Sequence, residues 1–127
     1  MVGEKLAEFF FPGKYTQLND YIRAERGHYK KAAEIKRNET AAIYYECIGK
    51  LPISDYPVHI HFFWRLENDK VDPDNTAFAK KFILDGMVEA RVLEGDSLKF
   101  IRGFADDFEV KPKDVGVVVV ISRFEEK

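Results

Sequence analysis

Asp72 and Asp74 flank a proline in the run Asp72-Pro73-Asp74-Asn75, and a lysine and a further acid follow at Lys81 and Asp85. Asp and Asn cap helices, and Pro is tolerated in a first turn, so the run predicts a helix entrance. At about 100° per residue, Lys81 falls about 20° to one side of Asp74 and Asp85 about 20° to the other. The three share one polar stripe of a helix expected to reach Ala90. Lys80 points about 120° away and is the poorer candidate.

Carboxylates as close as Asp72 and Asp74 repel one another unless they share a cation. Mg²⁺ suits such a pair, since it takes one or two carboxylates, keeps several waters and accepts phosphate oxygens as further ligands. An ion held there polarises a phosphodiester and supplies hydroxide, and a lysine beside it stabilises the charge growing on the phosphoryl oxygens. The same residues also fit an ordinary capped helix start, with Lys81 and Asp85 as an i,i+4 surface pair contributing about 0.3–0.5 kcal/mol. His59-x-His61 is a weaker constellation. Two imidazoles on one strand face suggest zinc, but no Cys or third nearby His completes a set. Cys47 reads as a packing residue. No glycine-rich phosphate loop, nucleophile elbow or dinucleotide fingerprint is present.

The elements that must position these residues follow from periodicity. Leu6–Phe11 is an apolar run closed by Pro12-Gly13, a strand and turn. Thr16 can cap a helix running through Arg26, and a longer helix is expected from His28 to Ile48. Val58–Leu66 is the clearest strand, with Val58, Ile60, Phe62 and Trp64 on one face and His59, His61, Phe63 and Arg65 on the other. After the Asp74 helix, which buries Phe78, Phe82, Ile83 and Met87, a loop holds Glu94-Gly95-Asp96. Strands near Leu98–Phe104 and Val115–Ser122 complete the order. This is an α/β (α+β) pattern: a small mixed β-sheet packed with helices, in a single domain over residues 1–127.

At 46% hydrophobic and 33% charged residues, the composition is that of an ordinary globular chain rather than a disordered one. One cysteine permits no internal disulfide, and no apolar run approaches a membrane span, so a cytoplasmic setting without a membrane partner is expected. The formal net charge of -2 is unlike that of a strongly basic nucleic-acid binder. Its distribution is uneven, because Lys14 to Arg37 carries seven basic side chains against three acidic ones. Arg23, Arg26, Lys30 and Lys31 in that stretch are candidate phosphate contacts.

From Val58 to Ile121 the chain resembles the RusA-type Holliday junction resolvases, particularly phage and prophage forms. The resemblance rests on an ordered set. It comprises the apolar strand Val58–Leu66, Asp72-Pro73-Asp74-Asn75, a helix with Lys81 and Asp85 inside Phe82-Ile83-Leu84-Asp85-Gly86-Met87-Val88, the loop Val92-Leu93-Glu94-Gly95-Asp96, Lys99-Phe100-Ile101, and Val117–Ile121. It implies a homodimeric endonuclease that resolves four-way DNA junctions by paired symmetric nicks in recombination and repair, with Mg²⁺ (or Mn²⁺) as cofactor. By position it assigns Asp72, Asp74 and Asp96 to the metal site, Asp85 as a further acidic position, and Lys81 as the lysine needed for cleavage. Lys70 is all that stands for the basic run the family often carries before its first Asp. Gly95 occupies the first of two positions where the family usually has adjacent aspartates. A junction-binding dimer with weakened or lost catalysis is therefore the alternative implied.

Overall fold

On β2 (Val58–Leu66) the apolar alternation is realised in full: Val58, Ile60, Phe62 and Trp64 are all buried. In a strand, alternate side chains share a face, so this row decides which side of the sheet the helices cover. The computed structural model describes residues 1–126. Around β2 it places β1 (Val2–Pro12), α1 (Leu18–Gly27), α2 (Tyr29–Cys47), α3 (Pro73–Ala77), α4 (Lys80–Glu89), β3 (Ile101–Val110) and β4 (Gly116–Phe124). The fold is mixed α+β, as the pattern predicts.

The four-stranded sheet has the order β1-β4-β2-β3. β4 runs antiparallel to both β1 and β2, whereas β2 and β3 are parallel, from Val58↔Ile101 to Leu66↔Val110. Parallel neighbours need a crossover connection, and here α3 and α4 supply it. Val117, Val119 and Ile121 on β4 join the β2 row, and Phe82, Ile83 and Met87 of α4 with Ile43 and Cys47 of α2 close the core above them. Gly86 sits at the closest approach of the two helices. A Cβ there would lie 2.5 Å from Ile43 Cβ and 2.8 Å from the Thr40 carbonyl oxygen. Among the described residues, no helix is long and apolar enough to cross a membrane.

Three elements differ from their expected form. The single helix from Asp74 to Ala90 is broken at Phe78 and Ala79, where the ladder tightens to i→i−3 bonds. Ala79 N–H donates to Thr76 O (3.2 Å), Lys81 N–H to Phe78 O (3.1 Å) and Phe82 N–H to Ala79 O (3.0 Å). Each tightened step turns the chain by about 120° rather than 100°, so a wheel drawn for a continuous α-helix drifts past this point. α1 begins after Gln17 with no side-chain cap, and the Thr16 N–H donates to Glu39 Oε1 at 2.5 Å. β3 starts later than Leu98 and runs on to Val110. Ser97 O first accepts the Phe100 and Ile101 N–H groups in a turn, and the ladder to β2 then carries the strand through a stretch whose acids hid it.

Gly86→Ala is expected to destabilise the protein by about 1–3 kcal/mol through overpacking against α2. Gly27→Ala, where an added Cβ meets nothing within 4 Å, is the control. Urea unfolding that gives both variants the same midpoint would disprove the close α2–α4 approach.

Candidate metal and nucleic-acid site

Asp72 occupies the N-cap position of α3 in extended backbone (φ -86, ψ 129), yet its side chain makes no capping bond. Its Oδ2 instead accepts from Asn75 Nδ2 at 3.2 Å. Its carbonyl takes the Thr76 N–H at 3.1 Å, which starts the helix. Asn75 and Thr76 are buried beneath this turn, and Gln17 Nε2 donates to Thr76 Oγ1 at 3.3 Å, tying the entry of α1 to α3. Asp74 is exposed in the first turn and has no ion-pair partner among the described residues. Two carboxylates, two residues apart in the chain, are thus exposed at a helix entrance. One is steadied by an amide, and neither is spent on the helix. As donors they fit two ligands of a hard cation such as Mg²⁺, which takes its remaining ligands from water and phosphate.

The other expected ligands are not brought to this pair within one chain. Asp96 lies in the loop after α4, and that loop is fastened to the start of β2. Ile53 N–H donates to Val92 O (2.8 Å), Glu94 N–H to the Tyr56 hydroxyl (2.9 Å) and Val58 N–H to Phe100 O (2.8 Å). Asp72 follows the far end of β2, and nine strand residues separate the two ends by about 30 Å. The separation follows from the topology: a crossover that returns the chain to begin a parallel strand must end where the first strand began. Asp85 is displaced along the helix by three turns, roughly 16 Å from Asp74. Its carboxylate is met by Lys81 Nζ at 3.4 Å. Among the described residues, no group of three or more His, Cys, Asp or Glu is placed to hold a metal ion. His59 and His61 have ring centroids 6.4 Å apart and gain no third ligand. Gly95 has a packing reason: a Cβ there would fall 2.5 Å from the Phe100 ring, which is itself set edge-on against Tyr56.

The basic N-terminal third does form a concave surface. A cleft of about 590 Å³ is lined by Lys14, Arg23, His28 and Lys31, with Asp20 the one acid among its walls. A second cavity of about 270 Å³ shares Lys14, Tyr15 and Gln17 with it and reaches Trp64, Val71 and Thr76, beside the Asp72 turn. The two hollows thus have a common wall in Lys14, Tyr15 and Gln17, and neither is lined by Asp72 or Asp74. Arg23 is paired with Asp20 (3.3 Å) and Lys14 with Glu67, both in solvent. Arg26 and Lys30 are exposed outside the cleft, and Lys70 is exposed in the loop leading to Asp72. At the cleft floor, burial and then the neighbouring Glu39 push the Tyr15 phenol up to about 12, so it remains a neutral donor. Burial likewise raises the Glu39 carboxyl, although the Thr16 N–H opposes the shift.

The helical wheel assigned Lys80 no role, yet it makes the better-buried contact of the two lysines. Its Nζ lies 2.8 Å from Asp106 Oδ2 on β3, 4.5 Å from the centre of the Phe104 ring and 5.1 Å from that of Phe62. Trp64 Nε1 donates to the other Asp106 oxygen at 2.9 Å. The sequence carried no signal for this, because the expected strand ended at Phe104 and Asp106 lay beyond it. Asp106 falls opposite Phe62, on the helix-covered face, where a carboxylate requires partners. On the open face of the sheet His61 Nε2 lies 2.6 Å from Asp107 Oδ2 and its ring stacks on Phe63 at 3.9 Å. Burial, and secondarily His61, lower the pKa of His59.

The two lysines should separate in stability measurements. Lys80→Ala leaves Asp106 one donor short in a half-buried position and is expected to cost about 1–3 kcal/mol. Lys81→Ala removes an exposed i,i+4 pair and should change stability by less than about 0.5 kcal/mol. Equal urea midpoints for the two variants would sink this assignment.

Compared with known proteins, the chain matches no family model and no curated protein.

Proposed function

We propose that the protein is a divalent-metal-dependent, structure-selective endonuclease that acts as a homodimer on branched DNA. In the RusA-type manner it would cut four-way junctions by paired nicks, in the cytoplasm. The observation that carries this reading is the pair Asp72 and Asp74, exposed and uncommitted to capping, in the turn between Val71 and Thr76 of the second cavity's wall. In the stability reading the same aspartates would serve as helix caps, and the absence of a capping bond from Asp72 counts against it.

Each group of the chain then has a physical task. Arg23 and Lys31 take phosphate oxygens along the cleft, a contact that releases counterions and is therefore salt-sensitive. Asn75 holds one Asp72 oxygen and leaves the other for a ligand. Mg²⁺ or Mn²⁺, when bound by the two carboxylates, supplies a polarised phosphodiester and an activated water. Lys81 is 59% exposed and held only by a long contact to Asp85, so it is free to neutralise a phosphoryl oxygen. A twofold dimer offers two such centres to two symmetry-related strands. The separation of Asp96 from the pair favours a second reading, a junction-binding dimer without cleavage.

The test is cleavage of a synthetic four-way junction and of linear duplex in Mg²⁺, Mn²⁺ and EDTA. Junction-selective, metal-dependent nicking is expected, abolished by Asp74→Asn and reduced at least about tenfold by Lys81→Ala, with folding retained. The double substitution Arg23→Ala, Lys31→Ala should lower the salt dependence of junction binding by about two phosphate contacts. Salt-sensitive binding with no product under either ion selects the second reading. No preference for branched DNA in either assay removes both.

A further inference from the structure

The two neighbouring hollows differ in chemistry. The larger, of about 590 Å³, has Arg23 and Lys31 on its wall with Asp20 as the one acid, which favours anions. The smaller, of about 270 Å³, carries only two charged side chains, Lys14 and Glu67, and these pair with each other. The Tyr15 phenol on its wall is pushed up to about 12 by burial and stays uncharged. Trp64, Leu66, Val71 and Val115 form the apolar part of this lining. The indole is held fixed: its Nε1 donates to Asp106 at 2.9 Å, and its ring stacks on Phe62 with centroids 5.6 Å apart. Three polar side chains complete the wall, each with one bond made inside the chain and one function left over. Gln17 Nε2 donates to Thr76 Oγ1 at 3.3 Å, so Gln17 keeps its amide oxygen and Thr76 its hydroxyl proton. Asn68 Oδ1 accepts the Lys70 N–H at 2.9 Å, which leaves the Asn68 NH₂ as a donor.

Such a lining suits an uncharged ligand with an apolar body and both donors and acceptors along its edge. The volume lies just below the roughly 300–1,000 Å³ of sites for drug-sized molecules, so it fits one small ring system. Next to it, across the common wall of Lys14, Tyr15 and Gln17, lies the cleft that favours anions. A neutral heterocycle joined to a phosphate chain is what a nucleic-acid strand presents to two such hollows. We infer that the cavity between Trp64 and Val115 takes a single nucleobase, unstacked from a DNA strand whose phosphates follow the adjoining cationic cleft. Bases taken out of a stack are held in this way, between apolar walls and by hydrogen bonds to their polar edge. The cavity also fixes where along the strand this base lies. Val71 and Thr76 both line it, and the turn between them, closed by the Thr76 N–H on the Asp72 carbonyl at 3.1 Å, carries Asp72 and Asp74. The captured base therefore belongs to a nucleotide adjoining the phosphodiester that is cut. That placement rests on the nuclease reading above; occupancy of the cavity by a base does not.

Trp64 is the only tryptophan of the chain, so its fluorescence reports on this cavity directly. The full chain is titrated in EDTA with a mixed-sequence single strand, an abasic strand of equal length and charge, and free nucleosides. The base-bearing strand should quench Trp64 and bind at least about fivefold more tightly than the abasic strand. Val115→Phe, which fills the hollow, should abolish that difference. Asn68→Ala, on an exposed loop away from the core, should reduce it without changing abasic binding. Equal quenching by the two strands, no quenching by either, or an unchanged difference in folded Asn68→Ala overturns base capture. Free nucleosides that quench as strongly as the strand overturn DNA as the source. For the placement, a four-way junction with one abasic position moved along the strand is cleaved in Mg²⁺. Cutting should fall at least about fivefold only when the missing base adjoins the cut. Cutting that ignores the abasic position refutes the placement. A wild type that cuts no junction refutes it through the nuclease reading, while the fluorescence titration still decides whether a base enters the cavity.

Discussion

The parallel pairing of β2 with β3 is the constraint from which the rest of the molecule follows. Two parallel strands cannot be joined by a turn, so the chain must leave the end of β2, cross the sheet and return to its beginning. α3 and α4 make that return. Their apolar side, from Phe82 to Met87, is consumed in covering the β2 and β4 rows, and Gly86 lets α2 close over them. The polar consequences are equally determined. Whatever follows β2 directly, the Asp72 turn, lies at one end of the sheet, and whatever follows α4, the Asp96 loop, lies at the other.

Charge on this scaffold is mostly consumed locally. Asp106, Asp107, Asp114 and Glu126, which in the sequence form an acidic tail, meet Lys80, His61, Arg65 and Arg102. The cleft at the helical end follows the same rule in part, since Lys14 meets Glu67 and Arg23 meets Asp20 while Lys31 has no ion pair among the described residues. The uncommitted carboxylates at Asp72 and Asp74 gain significance from that contrast. An exposed acid beside its base is ordinary; two neighbouring acids with no ion-pair partner among the described residues are less so.

Lys80 and Lys81 show how a small change in helical pitch redistributes chemistry. Adjacent lysines on a regular helix differ by about 100°. The tightened turn at Phe78 and Ala79 changes where that difference falls, and Lys80 is turned onto Asp106 over two phenyl rings while Lys81 remains in solvent. One lysine braces the crossover helix against the edge strand. The other stays in solvent beside Asp85.

Much of the fold could be read from the amino-acid order, because near-neighbour sterics and alternation are local. The β2 row, the two N-terminal helices, the helix entrance at Asp72-Pro73-Asp74 and the mixed α+β class all follow from spacing of three, four or two residues. The pair Asp72 and Asp74 was legible for the same reason. Strand order, the parallel sense of β2 and β3 and the extension of β3 to Val110 were decided only by tertiary structure, since a ladder between residues far apart in sequence leaves no periodic mark on either strand. So were the partners of Asp106, the break at Phe78, and the distance from Asp74 to Asp96. That distance depends on which way a strand runs, and direction is a property of the assembled sheet.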